Sequence, residues 1–161
     1  MGFLAMLLLL YVPQNTDFSA EGLKALEANK YEEAAQLLSK AVEADPKDYS
    51  AQFNLALAYS FLGKDSEAIP IYKKVLELKP GLYEAELNLG MLLVRQKEAK
   101  EAISYLQAAT DEKSNEFRPV FYLAEALLAA GDFQRAKELI MQGKKAAQSA
   151  IPEIKRKLNI T

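Results

Sequence analysis

The chain contains no cysteine and no histidine among its 161 residues. The first absence excludes disulfides, a thiol nucleophile and thiolate metal sites, and leaves the redox compartment open. The second removes the commonest general base and the commonest metal ligand. Carboxylates, Lys and Tyr remain available for chemistry. Glu98, Glu101, Asp111 and Glu112 nevertheless read as ordinary solvated charges on helix faces, so no enzyme, metal or cofactor is expected. Tryptophan is also missing. An excess of basic residues is missing too: 20 Lys and Arg stand against 22 Asp and Glu, for a formal net charge of −2. Phosphate contacts supply most of a nucleic-acid binder's affinity, so an acidic chain is not expected to bind nucleic acid.

What is present is the balance of a folded protein, with 50% hydrophobic and 26% charged residues. Residues 1–16 carry no charged side chain, and Phe3–Val12 is an unbroken apolar run of ten. A bilayer-spanning helix needs about 20 such residues. Ten suit the apolar core of an export signal, which favours an exported or periplasmic location over a cytoplasmic one. No Lys or Arg precedes the run, and Val12, Pro13 and Gln14 do not form a small-x-small cleavage site. A strip packed on the rest of the fold and an anchor on a lipid surface are the alternatives for residues 1–14.

The remainder repeats. Pro46 and Pro80 lie 34 residues apart, and steps of 34 align Ala34, Ala68, Ala102 and Ala136. In the same register Gly22, Ala56, Gly90 and Ala124 form a column of small residues. Leu55, Leu89 and Leu123 precede the last three of these. Leu38, Tyr72, Leu106 and Ile140 form a bulky column, and Ala41, Val75, Ala109 and Gly143 a second small one. Each unit reads as two amphipathic helices with apolar residues three and four apart, for example over 49–62 and 65–78. A turn such as Gly63-Lys64-Asp65 or Gly131-Asp132 separates them, glycine taking the left-handed conformation that ends a helix. Small columns are expected where helices approach closely, bulky columns beside them.

These columns resemble the tetratricopeptide repeat family. The second unit carries the family pattern most fully, in Leu55-Ala56, Tyr59, Gly63, Ala68, Tyr72 and Pro80. The third has Lys97 for the turn glycine and Ser114 for the proline; the fourth has Gly143 and Gln148 where Ala and Pro belong. The resemblance implies an all-α, right-handed solenoid of four helix–turn–helix repeats at 15–48, 49–82, 83–116 and 117–150. A helix over 151–161 is expected to cap the last repeat, with Ile151, Ile154 and Leu158 on one face. The alternative for that basic end, which contains Lys155, Arg156 and Lys157, is peripheral contact with anionic lipid or an acidic partner. A 35-residue RNA-reading helical repeat fits neither the spacing nor the charge.

In the resembled family the first helices line a concave groove that takes a peptide or partner helix. The family's carboxylate clamp would fall on Ser19, Leu23, Asn54, Glu84 and Asn88, where only Asn54 fits. Moved by one unit it falls on Phe53, Leu57, Asn88, Arg118 and Tyr122, where Asn88 and Arg118 fit but the first pair is apolar. A clamp for a chaperone tail is therefore not expected. The projected groove instead holds Leu26, Phe53, Leu57, Phe61, Leu87, Met91, Val94, Phe121 and Leu128, with Asn54 and Asn88 beside them. Phe53, Leu87 and Phe121 share one column and are expected to form an apolar binding row; the alternative is inter-helix core. The function expected is an adaptor that binds a protein or peptide in this groove. A structural subunit, self-associating or permanently docked in a larger assembly, is the alternative.

Overall fold

The computed structural model describes residues 17–143 except 115. The expected capping helix over 151–161 and the segment 1–14 lie outside the described residues. Within them the chain is all helix and has no strand. The helices are α1 (Phe18–Glu27), α2 (Tyr31–Ala44), α3 (Tyr49–Phe61), α4 (Asp65–Leu78), α5 (Tyr83–Arg95), α6 (Ala99–Glu112) and α7 (Phe117–Ala129), followed by α8 from 133 to 143. Each helix from α2 to α6 packs against both its neighbours in sequence, and α1 touches α3 as α5 touches α7, which makes a solenoid. No described helix is long and apolar enough to cross a membrane.

Local chemistry sets the boundaries. The Asp17 carboxylate accepts from the Ala20 amide (3.0 Å), and that of Asp48 from the amides of Ser50 and Ala51, so two first helices start on side-chain caps. Every first helix ends the same way. Asn29, Gly63, Lys97 and Gly131, each 34 residues from the last, have φ of 58°, 70°, 63° and 83°. The following amide reaches back five residues: Lys30 to the Ala25 carbonyl, Lys64 to Tyr59, Glu98 to Leu93 and Asp132 to Leu127, all at 2.8–2.9 Å. This is the bonding of a left-handed helix stop. The third unit therefore keeps the turn without its glycine, and Lys97 bears the steric cost of the left-handed region. Lys97→Gly is expected to raise stability by about 1 kcal/mol, less the entropy that glycine adds to the unfolded chain. A lower melting temperature for this variant would show that the turn is not strained.

The small and bulky columns face each other within each helix pair. A Cβ added to Gly22 would lie 2.5 Å from Leu38 Cγ, and one added to Gly90 would lie 2.7 Å from Leu106 Cδ2. Ala56 and Ala124 stand in the same column, opposite Tyr72 and Ile140 in the register. The glycines thus occur where the opposing side chain is leucine. The alanines Ala34, Ala68, Ala102 and Ala136 are all fully buried.

A second relation joins one pair to the next. The first residue of a second helix meets the last residue of the following first helix, 30 positions on. Tyr31 stacks on Phe61 with ring centroids 4.6 Å apart. Asp65, buried, accepts from Arg95 Nε at 2.8 Å and pairs also with Arg95 Nη2. Ala99 and Ala129 occupy the same two columns in the third and fourth units. One site is thus filled by an aromatic stack, a two-pronged ion pair and two small residues in turn.

Candidate functional site

The expected groove residues lie on the first helices α1, α3, α5 and α7, and fall on them unequally. The row Phe53–Leu87–Phe121 does not form as expected. Phe53 is half-buried and meets Tyr72 edge-on, centroids 5.7 Å apart. Leu87 is only 4% exposed, inside the apolar cluster that ties α5 to α4, α6 and α7. Phe121 is 47% exposed. The column is thus core at Leu87, half-buried at Phe53 and surface at Phe121. Leu26, also assigned to the groove, is buried in the cluster shared by α1, α2 and α3.

The column one turn further along each helix has the properties expected of the row. Leu23, Leu57 and Met91 are 34 apart; Leu23 is 43% exposed, and Leu57 and Met91 are half-buried. Sequence reasoning placed Leu57 and Met91 beside the row and met Leu23 only as a residue that does not fit the carboxylate clamp. The signal that would have found it is the same 34-residue step, applied one helical turn later. Val94 is half-buried beside Met91, and Leu128 is exposed on α7. Phe61 is 56% exposed although one face of its ring rests on Tyr31.

The polar groups on this side have separate tasks. Asn88 donates from Nδ2 to the Tyr72 hydroxyl at 3.3 Å, so its amide is turned toward the core. Burial of Tyr72 pushes its hydroxyl above the ordinary tyrosine range, partly offset by hydrogen bonds from Ser60 and Asn88. Asn54 is half-buried one column before Leu55. Arg118 Nη2 lies 3.4 Å from the Met91 sulfur, which places a guanidinium at the α7 end of the apolar column. The column's next member is Glu125, exposed. On α7 itself Phe117 stacks on Phe121 (5.5 Å), and Phe121 meets Tyr122 edge-on (5.2 Å).

The start and the end of the third unit meet in a compact polar cluster. The Tyr83 hydroxyl donates to Glu116 at 2.6 Å, and Lys113 Nζ sits 3.7 Å from the centre of the Tyr83 ring. Lys113 also lies 4.0 Å from Glu84. Burial, then the Glu116 carboxylate, push the Tyr83 hydroxyl up to about 12. The residues all have partners, and the arrangement ties the start of α5 to the segment between α6 and α7. Among the described residues no group of three or more acidic side chains could hold a metal ion.

Comparison with known proteins identifies the repeat. Models of the tetratricopeptide repeat match residues 19–83 in one case, and residues 66–118 and 93–158 in another. The chain belongs to the tetratricopeptide repeat family. No curated protein matches the sequence. Among solved structures, MamA residues 41 to the end from Desulfovibrio magneticus RS-1 is similar with a TM-score of 0.75 and 21% identity, over 80% of this chain and 73% of that one. YrrB, described as a TPR protein with an unusual peptide-binding site, is similar with a TM-score of 0.76 and 22% identity, over 80% and 66%. The first TPR of Spaghetti (RPAP3), bound to the HSP90 peptide SRMEEVD, is similar with a TM-score of 0.66 and 23% identity, over 71% and 90%. At these identities the likeness is one of fold.

Proposed function

We propose that the chain is a protein-interaction scaffold whose first-helix face takes the apolar side of a partner peptide or helix. The observation that carries this reading is the repeated column Leu23, Leu57 and Met91, exposed or half-buried on three successive first helices. Apolar groups brought into line by the period of the fold make a contiguous stripe, and such stripes tend to mark interaction sites. Phe61 flanks the stripe at α3, Phe121 and Leu128 extend it onto α7, and Asn54, Asn88 and Phe53 border it. The methionine in the middle adapts its shape to different partners. Covering these side chains contributes up to about 1.5–3 kcal/mol each, less for those already half-buried, against the entropy of association. That one protein of similar fold is described as bound to a peptide and another as having a peptide-binding site is consistent with this reading.

The test is selection from a library of random peptides displayed on phage. The intact chain is expected to enrich peptides with apolar residues spaced three and four apart. Leu57→Glu with Met91→Glu should abolish their binding while helicity by circular dichroism is unchanged. Selected peptides that bind the double variant as tightly as the parent would overturn the reading. The aromatic surface Phe117–Phe121–Tyr122 supports a second reading, self-association through α7. In that case Phe117→Ser, outside the stripe and 76% exposed, would convert a sedimenting dimer into a monomer and leave peptide binding intact.

A further inference from the structure

Two surfaces lie within reach of the chain that precedes α1, and their chemistry is opposite. The first is the outer face of the first unit. In the second unit Leu55 and Ala58 sit in the cluster with α1 and α2, and in the third Leu89 and Leu92 sit in the cluster with α4. The same positions on α1 are Glu21 and Lys24. With Lys30, Glu33 and Lys40 these line a shallow open depression, so the face is charged where its counterparts are apolar. The second surface is the column Leu23–Leu57–Met91, which is apolar and begins on α1 itself.

The segment Phe3–Val12, outside the described residues, is uncharged and wholly apolar. Set on the charged face it would strip water from Glu21 and Lys24 and offer them no partner, which is costly. Set on the column it would cover apolar groups with apolar groups. Reach permits this. Pro13–Thr16 can span roughly 13 Å when extended, and Leu23 stands six residues beyond Asp17, about 9 Å along the helix. Neighbouring helices pack about 8–10 Å apart, so the column is about 20 Å long, within the roughly 33 Å that ten extended residues cover.

We propose that Phe3–Val12 is the intramolecular occupant of the Leu23–Leu57–Met91 column, which a partner must displace. This rests on the reading that the column binds partners. A short tether gives the segment an effective concentration in the millimolar range, so it competes with every free ligand. Where the covered form outweighs the open one about ten to one, partner affinity is reduced about ten-fold.

The absence of cysteine makes the test direct. The full chain carrying Leu8→Cys and Leu57→Cys is oxidised beside one carrying Leu8→Cys and Lys24→Cys. An intramolecular disulfide is expected at least about ten-fold faster in the first. Faster closure in the second would place the segment on the charged face and overturn the proposal. A covalent dimer would do the same by assigning the column to a second copy. So would the lack of either bond, whether the chain stays in solution or sediments with phosphatidylcholine vesicles. In a second measurement, Leu7→Asp with Leu9→Asp in the full chain should tighten binding of a phage-selected peptide about ten-fold; unchanged affinity would remove the competition. If the disulfide forms while selected peptides ignore Leu57→Glu, the interaction reading fails and the internal contact stands.

Discussion

Tyr72→Ala is expected to lower the unfolding free energy by about 3–5 kcal/mol, the range for deleting a large buried ring. Tyr72 is fully buried in α4 and joins three helices. Phe53 of α3 meets it edge-on, its hydroxyl accepts from Asn88 of α5, and Ala56 and Val75 share its cluster. The substitution removes the ring, leaves a cavity and frees the Asn88 amide. Tyr72→Phe separates these effects, because it keeps the ring and should cost only about 0.5–1.5 kcal/mol for the lost hydrogen bond. Urea denaturation followed by circular dichroism measures both. Because repeats are stabilised by their neighbours, the alanine variant should also unfold less cooperatively, the first unit separating from the third. A loss below about 1 kcal/mol for Tyr72→Ala would show that the second and third units do not depend on this ring.

The other large effect is a reversal of sign between two backgrounds. Leu106→Ala should cost about 2–5 kcal/mol, since Leu106 is fully buried. Gly90→Ala replaces a poor helix former by the best one, which alone would favour the helix by about 1 kcal/mol. Its new methyl group would, however, lie 2.7 Å from Leu106 Cδ2. Overpacking costs about 1–3 kcal/mol, so in the parent the variant is expected to be neutral to destabilised. With Leu106→Ala already present the obstacle is gone, and Gly90→Ala should stabilise by close to its full propensity gain. The coupling from the four denaturation midpoints is the measurement. Additive effects would show that α5 and α6 approach each other elsewhere than at this pair.

How much of this could be read in advance depends on which helix face a residue occupies. The 34-residue period placed Ala34, Ala68, Ala102 and Ala136 in one column, and all four are buried. It also placed Gly22 and Gly90 at close approaches, and each is set against a leucine. The turn at Lys97 lacked its glycine signal, yet the backbone there is left-handed like its three counterparts. Burial of the flanking helices overrides the preference of a single residue. The ion pair of Asp65 with Arg95 was not legible, because its partner column holds Tyr31 and Phe61 in one unit and Ala99 and Ala129 in another.

The sequence by itself determined the helical class, the length of the repeat and the columns of small and bulky residues. Each of these follows from spacing along one chain. Only the tertiary structure decided which members of the two apolar columns are core and which are surface. Phe53 and Leu57 are four residues apart, as are Leu87 and Met91, so each pair lies on nearly the same side of its helix with only about 40° between members. Both columns recur every 34 residues, and both are apolar. What separates them is the line along which the next unit packs, and it passes over Leu87 while leaving Met91 half open. That line is set by the contact between helices of different units, a relation that periodicity within one helix does not contain.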